Sequence, residues 1–336
     1  MRDSKIIDVA QKANVSPATV SRVLNGSPLV TGKTQEKVMQ AIQELNYTPN
    51  AMGKQLRSRK TMTLGVVVTD IGVTYNAEII KGIENTANGL KYKILICDSQ
   101  NEKEKELEFL SLLQNRTVDG LILVGSQLTD SEIVAYADDD YTLGIIGRKL
   151  EHPFIPCCFT DNIRIGREVV EHLLKQGHRR IAYISGYADA TDSIGRLEGY
   201  RQELESAGQK LQPELMDDGG FNEQGGYEAF KRIWARGTDF TAVFTANDEM
   251  ALGVYKACAE LGLSIPHQMA VVGVDNIRIT NYVEPAISSV EQPLYDMGAL
   301  LAEKLIHQMN ETIHAEQTLF MLHSTIMVKG SSVKGG

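Results

Sequence analysis

The chain has 336 residues, more than one hydrophobic core usually sustains, so one small and two medium-sized units are expected. Its formal net charge of −9 argues against a protein that coats nucleic acid along its whole length. The charge is uneven, because residues 1–60 hold ten Lys and Arg against four Asp and Glu, whereas the remainder holds 24 against 39. A basic end on an acidic body is typical of a protein that binds nucleic acid at that end.

The first sixty residues predict a helix–turn–helix unit, with helices over 6–13 and 16–25 and a third helix over 33–46. Ser16 suits the N-cap of the second helix, and Pro17 suits its first turn. A second helix of this kind enters the major groove of DNA. The side chains that we expect to face the DNA are Ser16, Pro17, Ala18, Thr19, Ser21 and Arg22, of which Arg22 can reach a guanine edge or a phosphate.

After residue 63, apolar runs alternate with helical patterns. Strands are predicted at 64–68, 93–97 and 120–124, and the pattern restarts at 180–184, 241–244 and 270–274. Helices are predicted between them, at about 77–90, 102–115, 196–207 and 249–262. This alternation predicts two successive lobes, each a parallel sheet covered by helices on both faces.

Ligands of such folds bind at the carboxyl ends of the strands. That rule selects Asp70, Ser126, Asp161, Asn247 and Asp275 as candidate ligand contacts. Arg196 is added because it is predicted to begin the helix over 196–207, and a helix N-terminus favours anions and hydrogen-bonding groups. Two alternatives stay open: carboxylates at strand ends also cap helices, and Arg196 could form an ion pair with Asp275 inside one lobe.

No catalytic motif accompanies these residues. The sequence contains no HExxH, GxSxG or phosphate-binding loop, so we expect a binding protein rather than an enzyme, with no cofactor and no metal. The cysteines (Cys97, Cys157, Cys158 and Cys258) form no CxxC pair and are predicted to be buried thiols. Neither a signal peptide nor a long apolar run is present, which predicts a cytoplasmic protein without membrane contact.

The headpiece sequence resembles the lactose/galactose repressor family of bacterial transcription regulators. The resemblance lies in Asp8-Val9-Ala10, Val15-Ser16, the run Ala18–Asn25, Lys37-Val38, Ala41-Ile42 and Tyr47–Ala51. It implies an all-α helix-turn-helix headpiece at 1–48, a hinge at 49–60, and an α/β two-lobed periplasmic-binding-protein-like core with parallel sheets at 61–336. The implied N-lobe covers about 61–160 and 291–320, and the implied C-lobe covers about 161–290 and 321–336.

The resemblance also implies partners. It places Asn25 and Asn50 at the DNA and gives Leu56 the role of a wedge that kinks the minor groove of operator DNA. Gly53-Lys54 stands where Ala-Arg is usual in the family, which predicts a hinge that is less helical without DNA. A homodimer is expected, because two headpieces would read two half-sites and the tail at 328–336 lacks a heptad segment.

For the effector, the resemblance matches Arg196, Asn247 and Asp275 to effector-holding positions, and Tyr75 and Phe221 to aromatic walls. Donors and acceptors of this kind predict a sugar or sugar phosphate, and Ala190 stands where a purine-binding branch carries a second arginine. We therefore expect a repressor whose operator affinity is controlled by a sugar-like effector bound between the lobes. The alternative is a catabolite-control regulator, which residues 291–299 resemble, whose corepressor is a phosphorylated carrier protein that docks on the N-lobe.

Overall fold

The computed structural model describes residues 5–24, 27–47, 60–310 and 317–333. Contacts divide the chain into the units Met1–Lys60 and Thr61–Gly336. Asn25, Asn50 and Leu56 lie outside the described residues, so their predicted contacts with DNA stay predictions. In the described part of the chain, no helix combines the length and apolar character that a bilayer crossing requires.

Three helices form the first unit: α1 (Ile6–Lys12), α2 (Pro17–Leu24) and α3 (Gly32–Glu44). Each helix contributes a fully buried valine to the shared core: Val9, Val20 and Val38. The Lys12 ammonium pairs with Glu44 at 2.8 Å and links α1 to α3 on the surface. The predicted helix–turn–helix unit and its third helix are confirmed.

The turn between α1 and α2 follows the predicted chemistry. Asn14 has the left-handed φ of 52° that asparagine tolerates better than most residues. The Thr19 backbone N–H donates to Ser16 Oγ at 3.1 Å, which caps the first turn of α2, and Pro17 is the first residue of that helix.

The N-lobe is built on a sheet with the strand order β11-β5-β4-β3-β1-β2, in which every pair is parallel. Its strands are β1 (Thr63–Val68), β2 (Lys93–Asp98), β3 (Gly120–Val124), β4 (Leu143–Ile146), β5 (Cys157–Thr160) and β11 (Leu319–Leu322). Its helices are α4 (Thr74–Gly89), α5 (Lys103–Gln114), α6 (Asp130–Asp138) and α11 (Leu294–Asn310). The predicted strands β1 and β3 are buried because separate apolar clusters cover the two faces of this sheet, whereas in β2, at the sheet edge, only Cys97 is buried.

The C-lobe repeats this plan, with the order β12-β10-β9-β8-β6-β7. Its strands are β6 (Ile181–Ser185), β7 (Met216–Asp218), β8 (Ala242–Thr245), β9 (Ala270–Asp275), β10 (Ser288–Glu291) and the antiparallel edge strand β12 (Thr325–Met327). Its α-helices are α7 (Asn162–Lys175), α8 (Thr191–Ser206), α9 (Glu223–Ala235) and α10 (Asp248–Leu261). Two short 3₁₀ helices, Pro213–Leu215 and Arg278–Asn281, complete the described elements of the lobe.

The chain crosses between the two lobes three times. It passes from β5 to α7 after Thr160, from β10 to α11 after Glu291, and from β11 to β12 after Leu322. The crossovers therefore leave the carboxyl ends of β5, β10 and β11. The sequence predicted two lobes, and the described strands form two separate sheets.

Two helices begin earlier than predicted. Helix α8 starts at Thr191 rather than at residue 196, and α4 starts at Thr74 rather than near residue 77. Arg196 therefore lies in the second turn of α8, where it cannot take part in an N-terminal anion site. The prediction that Arg196 begins this helix was wrong, because the polar first turn Thr191-Asp192-Ser193 does not show the apolar periodicity that was used to place the start.

Candidate functional site

The outer side of the headpiece carries the residues predicted to face DNA. Ser16, Pro17, Ala18 and Arg22 are exposed, and Thr19 and Ser21 are half-buried. Ser16 Oγ accepts from the Thr19 N–H and also lies 2.9 Å from Thr19 Oγ1, so these two hydroxyls bond to each other as well as facing outward. Arg22 is the cationic side chain of α2, which makes it the natural partner for a phosphate or a guanine edge.

In the core, a cavity of about 530 Å³ lies between the two lobes. Many of its wall residues lie at or just after the carboxyl ends of strands of both sheets, as the strand-end rule predicts, and the starts of helices α4 and α8 supply others. The volume is within the range of sites for small organic molecules, about 300–1,000 Å³. Seven of the predicted ligand contacts line it: Asp70, Tyr75, Ser126, Arg196, Phe221, Asn247 and Asp275.

Arg196 is a buried cation at the C-lobe side of the cavity, with 2% of its surface exposed. Its Nε donates to Asn162 Oδ1 at 3.0 Å, its Nη1 donates to the Ala246 carbonyl, and its Nη2 lies 3.7 Å from Asp192 Oδ2. Burial by itself lowers the pKa of Arg196, but the negative charges of Asp192 and Asp275 outweigh it and raise this pKa. The guanidinium is therefore fixed in place and permanently charged, a rigid donor at the cavity wall.

Asp275 closes β9 and faces the same cavity. Its Oδ1 accepts a hydrogen bond of 2.7 Å from Gln292 Nε2, and the residue has a left-handed φ of 104°. Burial raises the pKa of Asp275 to about 7, although the positive charge of Arg196 counteracts part of the rise. Asp275 can therefore accept from a hydroxyl as a carboxylate, or donate to one when protonated, near neutral pH.

Asn247 lines the cavity, but its side chain forms hydrogen bonds with other residues of the protein. Its Oδ1 caps α10 by accepting from the Met250 N–H at 3.1 Å. Its Nδ2 donates to the Phe221 carbonyl and to Glu249 Oε2, both at 3.0 Å. Both amide hydrogens are thus engaged, so Asn247 organises the wall around Phe221 rather than offering free donors to a ligand.

Ser126 and Asp70 on the N-lobe side also make internal bonds. Ser126 Oγ donates to the buried Glu106 carboxylate and accepts from the Leu128 N–H at 3.1 Å. Asp70 Oδ1 accepts from the Gly72 N–H at 2.7 Å, but Asp70 itself is exposed, so its carboxylate keeps acceptor capacity for a ligand.

Aromatic rings supply the apolar part of the wall. Phe221 packs edge-on against Tyr187 with ring centroids 5.7 Å apart, and both rings line the cavity. Gly186 is needed beneath Phe221, because a Cβ there would lie 2.0 Å from the Phe221 ring. Tyr75, in the first turn of α4, lines the N-lobe wall, and burial raises its pKa above the ordinary value. Rings on both lobes can stack on a sugar face.

The structure does not bring Asp161 into the cavity. Asp161 Oδ1 accepts from the Arg164 N–H at 3.0 Å and caps α7, immediately after the first crossover. Its expected contact with the effector is corrected to a helix-capping role, which is the structural alternative for carboxylates at strand ends.

The fold brings further polar residues to the site that the sequence analysis did not select. Asp192 and Asn162 orient Arg196, and Tyr187 and Arg148 line the cavity directly. Arg148, Asn162 and Tyr187 had a usable indication, since each lies two residues after a buried strand. The contacts of Asn162 and Asp192 depend on the packing of α7 against α8, which no local pattern reports.

The charges around the cavity are mainly negative. The carboxylates of Asp70, Asp189, Asp192 and Asp275 line it, against two arginines, Arg148 and Arg196. Arg148 Nη2 lies 3.5 Å from Asp130 Oδ1, and its buried Nε has no hydrogen-bond partner among the described residues. No three His, Cys, Asp or Glu side chains within those same residues are grouped to hold a metal ion. Such a cavity suits a neutral molecule rich in hydroxyl groups better than an anion.

A direct hydrogen bond connects the two lobes beside the cavity. Glu249 Oε1, at the start of α10, accepts from the Thr74 N–H at 3.3 Å. Thr74 is the first residue of α4, whose N-cap residue Val73 has no side chain that can cap it. A carboxylate from the C-lobe therefore satisfies the N-terminus of an N-lobe helix.

Comparisons with known proteins agree with this architecture. Residues 5–50 match the model of bacterial regulatory proteins of the lacI family, and residues 170–332 match a periplasmic binding protein-like domain. Catabolite control protein A of Priestia megaterium is 34% identical over 91% of this chain and 92% of its own length. Among solved structures, the lac repressor dimer bound to operator and the anti-inducer ONPF has a TM-score of 0.90 at 25% identity, covering 99% of this chain and 100% of that chain.

A second solved structure contains a sugar. The complex of the transcriptional regulator CelR with cellobiose is 30% identical, covers 98% of this chain and 99% of that chain, and has a TM-score of 0.73. These matches extend over both the headpiece and the core, and the matched relatives are regulators rather than enzymes. A helix–turn–helix headpiece followed by a two-lobed binding core thus identifies the chain as a member of the lacI family of bacterial transcription regulators.

Proposed function

We propose that the cavity between the lobes binds a neutral sugar and that this binding controls the affinity of the headpieces for operator DNA in the cytoplasm. The observation that carries the proposal is the composition of the cavity wall. It combines the fixed donor Arg196, the carboxylates Asp70 and Asp275, and the aromatic rings of Tyr75, Tyr187 and Phe221.

The charge balance supports a neutral sugar over a sugar phosphate. Arg196 already has Asp192 beside it, and Arg148 has Asp130, so neither cation is without a counter-charge. A phosphate would face the carboxylates of Asp70 and Asp189 without a spare positive charge to neutralise it. Hydroxyl groups, in contrast, can donate to those carboxylates and accept from the Arg148 and Arg196 guanidinium groups.

A thermal-shift screen tests the proposal. Cellobiose, glucose, glucose 6-phosphate and adenosine are added to the full chain, and a sugar that binds only the folded state raises the melting temperature. A ligand at one hundred times its Kd stabilises the folded state by about 2.7 kcal/mol. We expect a neutral sugar to give the largest rise, and a rise confined to glucose 6-phosphate or adenosine would overturn the proposal.

Two arginines of α8 provide a matched pair of variants. Arg196→Ala removes the donor at the cavity wall, whereas Arg201→Ala removes an arginine that pairs with Glu198 and Glu205 on the same helix. We expect Arg196→Ala to abolish the sugar-induced rise and Arg201→Ala to retain it. Because Arg196 is buried, Asp275→Asn serves as a second cavity variant with less effect on packing. A full rise in both cavity variants would place the sugar elsewhere.

A phosphorylated carrier protein is the second candidate partner, favoured by the identity with a catabolite control protein. It would dock on the outside of the N-lobe, where helices α4 and α11 pack together. The exposed charged groups there include Glu78, Glu84, Asp296 and Glu303 against Lys81. Phosphoryl groups favour clusters of arginine and lysine, so this acidic face makes the sugar the preferred proposal.

A further inference from the structure

A chain of three buried side chains connects the cavity to two of the crossovers between the lobes. Thr160 Oγ1 donates to Gln292 Oε1 at 2.7 Å, and Gln292 Nε2 donates to Asp275 Oδ1 at 2.7 Å. The three residues are 5%, 6% and 6% exposed, respectively. Each of the two donors and two acceptors is thus paired inside the protein, in a place where an unpaired polar group would be costly.

The positions of these residues in the chain show which parts of the protein the two hydrogen bonds connect. Thr160 is the last residue of β5, immediately before the first crossover, and Gln292 directly follows β10 in the second crossover. Asp275 is the last residue of β9, and it lines the cavity. One amide therefore joins the N-lobe sheet, the crossover segment and the carboxylate of the C-lobe that faces a ligand.

We propose that Gln292 is a positioning residue that couples the state of Asp275 in the cavity to the angle between the two lobes. A sugar hydroxyl that donates to Asp275 either replaces the hydrogen bond from Gln292 Nε2 or changes the direction of that bond. Gln292 also holds Thr160, so its movement shifts one crossover relative to the other. The role of Gln292 in regulation rests on the proposed binding of a sugar. The coupling of Asp275 to the angle between the lobes through Gln292 and Thr160 does not.

Asp275 is surrounded by other charged groups, and the test must account for them. Helix α8 presents Arg196 and Asp192, and α10 presents Asp248 and Glu249, while Tyr75 faces it from α4. Glu249 also holds the Thr74 N–H of the N-lobe, so pH can change the lobe angle by a second route. The experiment therefore compares each variant with the wild-type chain at the same pH.

The test measures the distance between the lobes in the ligand-free full chain. Spin labels are attached at Glu108→Cys on α5 and Glu228→Cys on α9, both exposed positions, and the distance distribution is measured by double electron–electron resonance. The four native cysteines are buried, so the labels go to the introduced ones. An excess of unlabelled chain ensures that a dimer with a labelled subunit rarely contains a second one.

Two substitutions separate positioning from simple packing. Gln292→Leu removes both hydrogen bonds, and we expect the distribution to shift or broaden at every pH. Gln292→Glu keeps an acceptor for Thr160 but places a second carboxyl group beside Asp275. The two groups can share a proton at about pH 5, and they repel each other at about pH 9. The interlobe distance of Gln292→Glu should then change with pH more than that of the wild type.

Glu291→Gln, an exposed neighbour in the same segment, is the matched control and should behave like the wild type. Should Gln292→Leu fail to fold, the pH comparison of Gln292→Glu still decides. Distributions for the Gln292 variants that match the wild type at both pH values would overturn the coupling. That result would leave the thermal-shift evidence for sugar binding untouched, and the absence of any sugar-induced rise would leave the coupling untouched.

Discussion

Asp275 has three unusual features: its side chain is buried, its backbone is left-handed and the pKa of its carboxyl group is raised. The side chain is 6% exposed, its φ of 104° belongs to a region that favours glycine, and its pKa lies near 7. Proteins retain strained residues mainly where the surrounding structure determines them and where function uses them. We infer that the strain aims this carboxyl group into the cavity.

The raised pKa makes the stability of the core depend on pH. Asp275 binds its proton more tightly in the folded state than in the unfolded chain. Its contribution is therefore fully present below about pH 4, the range of an unfolded aspartate, and is lost as the pH rises through about 7. The loss is on the order of a few kcal/mol.

Chemical denaturation at pH 5 and pH 8 checks this prediction. The free energy of unfolding of the wild type should fall between the two pH values by more than that of Asp275→Asn, which cannot ionise. Asp296→Asn, at an exposed position of α11, is the control and should fall as the wild type does. An equal fall in the free energy of unfolding for Asp275→Asn and the wild type would contradict the raised pKa of Asp275.

At the scale of elements, three pairs of glycines let helices approach each other closely. Gly82 faces Gly298 between α4 and α11, and Gly226 and Gly253 bring α9 and α10 together. Gly166 and Gly199 form the third pair, between α7 and α8, where a Cβ on Gly199 would lie 2.0 Å from the Ile163 carbonyl oxygen. This last contact matters for the site, because α8 carries Arg196 and α7 carries its partner Asn162.

Gly199→Ala should therefore push α8 away from α7. Overpacking of this kind costs about 1–3 kcal/mol of unfolding free energy, and the displacement of Arg196 should also weaken sugar binding. Gly89→Ala is the matched control, since nothing lies within 4 Å of a Cβ there, and it should be neutral or stabilising by up to about 1 kcal/mol. Urea denaturation and the thermal-shift response measure both effects. A Gly199→Ala chain as stable and as responsive as the wild type would refute the close-packing argument.

Local pattern was enough to predict most elements of the fold. The apolar run Leu64–Val68 is a buried strand because helices cover both faces of its sheet, and Ser16-Pro17 starts α2 because cap and first-turn chemistry are local. The start of α8 was missed because its first turn is polar. The roles of Asn162 and Gln292 depend on contacts between residues 34 and 132 positions apart in the chain, which no window of sequence contains.

The same limit of local sequence patterns applies to the prediction of the site residues. The strand-end rule found Asp70, Asn247 and Asp275, because the geometry of a parallel sheet fixes where its strands end. It could not distinguish a ligand contact from a helix cap, so it also selected Asp161, and Asn247 caps a helix although it lines the cavity. The role of Leu56 as a wedge in the minor groove stays a prediction, which a loss of operator bending in Leu56→Ala would support.

For the whole molecule, regulation requires two states with different affinities for DNA. A sugar shifts the balance between them only by as much as it prefers one state, and couplings of this kind are typically 1–3 kcal/mol, or about 5–150-fold in affinity. By linkage, operator DNA must change the affinity for the sugar by the same factor. The hydrogen bonds at Glu249 and Gln292 join the lobes, and both would have to change if the angle between the lobes differs between the states.

The most direct test of the central claim is an operator titration with and without sugar. The operator duplex is first selected from random sequences with the full chain, and its Kd is then measured at fixed salt, without and with a saturating concentration of the sugar that gives the largest thermal shift. We predict that the sugar changes the Kd about 5–150-fold in the wild type and leaves it unchanged in Arg196→Ala. A Kd that stays the same in the wild type, at a sugar concentration that raises the melting temperature, would contradict the claim that the cavity controls DNA binding.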